Sequence, residues 1–135
     1  MAIESGVGWT SYAVDDSGGT ARELDGHITQ ANMATTRGIQ DITTISQSAR
    51  ATLQLLADQQ DTFTCLFDDA ANVSFDVLKT VGSATGARTI TRTHSGQTLA
   101  TESNFSNVTW GRTQSGELTA QVTAVLADGT VPTWA

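Results

Sequence analysis

Residues 117–126 read ELTAQVTAVL. Leu118, Ala120, Val122, Ala124 and Leu126 fall on one side of an extended chain, and Thr119, Gln121 and Thr123 on the other. That period of two is what a half-buried strand requires, and no other stretch of the chain keeps it so cleanly. Working back from this strand, Asn107 to Arg112 and Glu117 to Leu126 flank the turn Thr113-Gln114-Ser115-Gly116, and Arg88 to Thr93 and Thr98 to Phe105 flank His94-Ser95-Gly96-Gln97. Two turn clusters closed by glycine, each between extended runs, predict an antiparallel meander over the C-terminal third.

Upstream of the meander the period changes. From Ala71 to Val81 the apolar residues Ala71, Val73, Phe75, Val77, Leu78 and Val81 leave Asn72, Asp76, Lys79 and Thr80 on one polar arc, which predicts an amphipathic helix. Asp68 and Asp69 precede it, Lys79 falls in its last turn and Gly82 is placed for a left-handed cap. Before the helix, Thr62 to Phe67 (TFTCLF) predicts a strand with Phe63, Cys65 and Phe67 on one side. At the N-terminal end, Val7 to Val14 predicts a first strand, Asp15 to Thr20 (DDSGGT) a turn, and Gly26 to Thr35 a less regular extended run.

The 26 residues from Thr36 to Asp61 fit neither period throughout, and read as a long mixed loop in which Ala49 to Leu55 permits a short strand. Ile39, Ile42, Ile45, Leu53, Leu55 and Leu56 recur in it, too many large aliphatics for a loop facing water. They need a dry surface, either the protein's own sheet or another subunit. One helix laid on antiparallel strands makes the expected fold mainly β, an antiparallel sandwich or barrel with a flanking helix and a long loop arm, in a single domain over 1–135.

Composition supports strands and limits function. Threonine supplies 23 of the 135 residues and proline only one, Pro132, a balance suited to pleated sheet. Fourteen carboxylates face seven Lys and Arg for a net charge of −7, with the basic residues scattered singly, which disfavours tight binding to a phosphate backbone. The chain opens MAIESGVGWT, without the basic and apolar pattern of a secretory leader, and has no apolar run long enough to span a bilayer, so no membrane role is expected. A lone Cys65 forms no internal disulfide.

No arrangement for catalysis emerges. His27 and His94 are the only imidazoles, neither accompanied by a nucleophile motif, and one cysteine with two distant histidines offers no zinc spacing. Asp15-Asp16 and Asp68-Asp69 lack the alternating oxygens of a calcium loop, and Gly6-Val7-Gly8 stands without the rest of a dinucleotide fingerprint. Trp9, Trp110 and Trp134 are too far apart to make a stacking ladder and suit core or subunit contacts. The expectation is a protein without catalytic residues, metal or cofactor.

The order of elements, with Asp41-Ile42-Thr43-Thr44 inside the long loop, Leu55-Leu56-Ala57-Asp58 leading into TFTCLFDD, the helix from Ala71 to Val81, and Gly116-Glu117-Leu118-Thr119 opening the last strand, resembles the tail-tube (major tail) proteins of siphophages. The resemblance implies a β-sandwich that closes into rings, usually hexamers, stacked as a tube in the virion tail, with the long loop reaching a neighbouring subunit or ring. Ile39, Ile42, Ile45, Leu53 and Leu55 would then be the subunit interface. Partners would be copies of the chain and other tail proteins, with DNA passing an acidic lumen that repels it, and synthesis would take place in the host cytoplasm. Related virion roles on a similar fold, such as a tail terminator, a head-to-tail joining protein or a capsid decoration protein, stay open at this point. So does a small ligand-binding β-barrel.

Overall fold

A computed structural model describes residues 9–112 and 114–134; Val7 and Gly8, expected in the first strand, and Thr113 of the last turn lie outside the described residues. The elements are β1 (Trp9–Asp15), β2 (Ala21–Glu23), β3 (Ile28–Asp41), β4 (Thr52–Leu66), α1 (Ser74–Leu78), β5 (Arg88–His94), β6 (Gln97–Arg112) and β7 (Leu118–Leu126). Seven strands form one sheet in the order β2-β1-β5-β6-β7-β4-β3, every neighbouring pair antiparallel. The mainly antiparallel β class with one short helix is therefore the observed one.

Connectivity forces this sheet to roll. β2 and β3 are its two edges, yet only residues 24–27 separate them in sequence. Seven strands laid flat span about 29 Å from edge to edge. The linking segment reaches at most about 18 Å. The edges must curl toward each other, and the corner at residues 24–27 fastens them: Leu24 N–H donates to Tyr12 O at 2.8 Å, and Leu66 N–H donates to His27 O at 2.8 Å. Leu24 is fully buried at that corner.

Inside the roll lie Tyr12 and Val14 of β1, Phe63 and Cys65 of β4, Ile90 of β5 and Ala120, Val122 and Ala124 of β7, covered by Val77 and Leu78 of α1. The Tyr12 and Phe63 rings, from strands far apart in the sheet order, meet edge to face at 5.3 Å between centroids. A buried ion pair crosses the same space: Arg92 Nη1 and Nη2 donate to Asp61 Oδ1 and Oδ2, both at 3.1 Å. Arg92 also donates to Thr101 Oγ1 at 3.1 Å and to Met33 Sδ at 2.7 Å, so one β5 side chain grips β3, β4 and β6. Burial pushes the Asp61 carboxyl up, against the downward pull of the Arg92 charge.

Several elements differ from the sequence expectation. The helix is five residues, not the eleven from Ala71 to Val81. At its start, polar side chains bind the backbone in competing turns. Asp68 Oδ1 accepts from Ala70 N–H at 3.0 Å, Asp76 Oδ2 accepts from Asn72 N–H at 3.0 Å, and Asn72 is left-handed at φ 66°. Asp68 and Asp69 thus precede a turn and not the helix itself. At its end, Arg88 Nη1 donates to Val77 O at 2.8 Å, the oxygen that Val81 N–H would take in a longer helix, and Val81 N–H goes to Leu78 O instead. Gly82 is not among the glycines with positive φ, so the expected cap is not formed.

Thr98 to Phe105 and Asn107 to Arg112, read as two strands, are one, with an irregularity between Phe105 and Asn107. The turn before it is as expected, reduced to Ser95 and Gly96 with φ 52° and 79°, the twist that matches a two-residue hairpin. The largest difference lies between Thr36 and Asp61, where the expected loop is instead the long hairpin of β3 and β4.

Candidate functional site

β4 pairs with β7 only from Gln60 to Leu66, whereas its pairing with β3 continues outward to Thr52 opposite Asp41. Beyond Gln60 the hairpin is a free two-stranded ribbon. Such a ribbon is marginal in water on its own.

Its side chains make the exposure costly. Ile39 stands opposite Gln54, and Gln40 opposite Leu53, so Ile39 and Leu53 occupy opposite faces. Between Arg37 and Ile39 the register shifts, with Ala57 and Gln54 as their partners, which places Leu55 and Leu56 against the single residue Gly38. A Cβ at Gly38 would come within 3.3 Å of the Leu55 side chain, so a larger residue there would press against Leu55, which glycine lets lie across β3 on the Leu53 face. Arg37 Nε closes the bulge by donating to Leu55 O at 3.1 Å.

At the tip, polar atoms are satisfied internally. Ile42 N–H donates to Ala51 O at 3.0 Å, Ala51 N–H donates to Thr43 Oγ1 at 2.7 Å, and Thr44 N–H donates to Gln47 Oε1 at 2.8 Å. Hydrogen bonds from the Thr43 hydroxyl and N–H hold the Asp41 carboxyl below its ordinary range. The apolar side chains have no such provision: Ile39 is 62% exposed, Leu56 90%, and Ile42, Ile45, Leu53 and Leu55 are exposed as well. None of the five residues expected at a subunit interface folds back onto the sheet. They share one projecting arm, with aliphatics on both faces and at the tip, and between residues 36 and 57 the arm carries one carboxylate, two guanidinium groups and several Ser and Thr hydroxyls, with no imidazole or thiol. Its exposed aliphatics make it a surface suited to binding.

Elsewhere, both imidazoles and the single thiol have defined neighbours. His27 Nε2 lies 2.8 Å from Asp68 Oδ2, a histidine-carboxylate pair that sequence separation concealed. The nearest hydroxyl in that network, Ser74 Oγ, donates to Leu66 O and accepts from Asp68 N–H, so it is not presented to the imidazole. His94 ends β5 with its ring 5.6 Å from that of Trp9. Cys65 is buried, which pushes its thiol up to about 11. No three His, Cys, Asp or Glu side chains gather for a metal among the described residues.

Comparison with solved structures places this architecture. A chain in the virion of a native gene transfer agent particle superposes with a TM-score of 0.76 over 98% of this chain and 99% of that one, at 8% identity. A chain in the tail of an empty gene transfer agent particle, solved with C6 symmetry, gives a TM-score of 0.73 over 98% and 99%, at 10% identity. The two chains and this one share a fold. At these identities the likeness is of fold, over nearly the whole of each chain compared. No family model matches the sequence, and no curated protein does.

Sequence reasoning found the arm's aliphatics but missed what shapes it. Gly38 within an extended run was the available signal, since an isolated glycine in a strand marks a bulge or a close approach. Arg37 gave none.

Proposed function

We propose that the chain is a structural virion protein that assembles with copies of itself into rings, stacked as the tube of a phage-type tail. The observation that carries this is the free ribbon between Arg37 and Ala57, whose aliphatic side chains on both faces and at the tip face water in the isolated chain. Fully burying a side chain of this size is worth about 1.5 to 3 kcal/mol. Six of them, repeated in every subunit, are enough to hold a ring together and to order a hairpin that is marginal alone. The end-to-end fold likeness to chains of a virion and of a C6 tail supports sixfold rings and a place in the tail, with other tail proteins as further partners. The net charge of −7 supports a lumen from which DNA is repelled and along which it slides. On this reading the chain is made in the host cytoplasm, uses no cofactor and catalyses nothing.

Changing Ile39, Ile42 and Ile45 together to Ser tests the proposal. Light scattering and electron microscopy should show loss of rings and tubes, while circular dichroism still reports a folded β-rich monomer. Normal assembly by this variant would place the interface elsewhere.

A further inference from the structure

We infer that the arm of one chain docks on an aromatic seat at the opposite end of β4 in a second copy. This rests on the reading of the arm as a self-assembly element and names its acceptor. Past Leu66, Phe67 meets Phe75 at 4.8 Å and Trp110 at 5.8 Å between ring centroids, and Phe75 meets Trp110 at 5.6 Å. Leu118 adjoins them, its carbonyl taking Phe67 N–H at 2.9 Å. Trp110 stands opposite Ala120, itself opposite Cys65, so the cluster prolongs the core-lining row until it runs out into solvent. There Trp110 remains 38% and Leu118 43% exposed.

Two uncovered apolar surfaces therefore sit at the two ends of one strand. Extended over its 15 residues, β4 separates them by about 50 Å. An arm cannot reach its own seat. Charge selects the same partner: between residues 36 and 57 the arm carries Arg37, Arg50 and Asp41, so the chain's net −7 divides into +1 on the arm and −8 on the remainder. Arg50 pairs with Asp41 at 3.5 Å, whereas Arg37 has no carboxylate partner among the described residues. Beside the seat, Asp69 is exposed and likewise without an ion pair among the described residues. Lys79 lies over the Phe75 ring at 5.7 Å and Arg112 stands opposite Leu118. Asp68, Asp69, Asp76 and Glu117 adjoin the same seat residues in sequence and outnumber these two cations, so a cationic apolar arm fits the seat better than it fits another arm. Arm into seat is a head-to-tail contact, which repeats into closed rings or open stacks and leaves neither surface uncovered.

Two complementary variants test this. One is the Ile39, Ile42 and Ile45 to Ser chain, with its seat intact; the other combines Trp110→Ser with Leu118→Arg, with its arm intact. Neither alone should grow beyond monomer in sedimentation velocity, and an equal mixture should yield a pair that grows no further. Leu118→Arg alone, at an exposed position, serves if the Trp110 change unfolds the chain and should also block growth. In the otherwise native chain, a benzophenone side chain at position 56 should cross-link to residues 66–75 or 110–118 of another copy. A seat variant that assembles like the native chain, or a cross-link to any other segment, overturns the seat while leaving the arm reading standing. A native chain that stays monomeric removes both.

Discussion

Replacing Arg92 with Met is expected to cost more than any exposed substitution, because of what it leaves behind. Arg92 and Asp61 are each 1% exposed and joined by two hydrogen bonds of 3.1 Å. Removing the cation strands a carboxylate among Tyr12, Phe63 and Thr101, and breaking one side of such a buried pair costs about 3 to 5 kcal/mol. For a domain of this size that corresponds to a fall in Tm of roughly 10 to 20 °C. Changing both residues, Arg92→Met with Asp61→Leu, removes the stranded charge and should recover most of the loss. The pH dependence has a definite sign. Burial already raises the Asp61 carboxyl, and without Arg92 it rises further, so the variant binds a proton more readily folded than unfolded. Its deficit relative to the native protein should shrink as pH falls toward the ordinary carboxylate value and be greatest above the raised one. Urea unfolding followed by far-UV circular dichroism, from pH 4 to 8, measures both effects. A single variant within about 1 kcal/mol of native at pH 7, or a double variant no better than the single, would refute the reasoning.

Leu78→Asp forces a charge into the contact between helix and sheet and should unfold the chain, whereas Lys79→Ala, which loses an exposed pair with Asp76, should change stability by less than about 1 kcal/mol in thermal melts. Cys65 should resist a thiol reagent at pH 8 in the folded protein and react at once in denaturant, since burial holds the thiol up at about 11. Asp16, Asp41, Asp68 and Asp76 are held below the ordinary 3.8 by hydrogen bonds and nearby cations, so the stability they contribute is present above that value and lost as pH falls through their lowered ones. Asp68→Asn should accordingly flatten the acid limb of a stability-pH curve.

The meander was legible because β6 and β7 alternate and their turns carry glycine. Ala120, Val122 and Ala124 are buried as that alternation requires, while Leu118, at the strand's end, is half open. The arm's backbone was illegible for a physical reason. Periodicity reports burial on one face, and a ribbon with aliphatics on both faces, broken by a bulge at Gly38, has no single buried face to report. Helix length failed similarly: Arg88, seven residues beyond Val81, ends α1 by taking the Val77 carbonyl. The Arg92–Asp61 pair, 31 residues apart, is invisible until the roll brings β5 over β4.

Electron microscopy of the concentrated native chain bears most directly on self-assembly through the arm. The account predicts rings and stacked tubes with sixfold projections, in equilibrium with monomer on dilution. A chain that remains a single monomeric species in micrographs and in sedimentation, at every concentration reached, would contradict it.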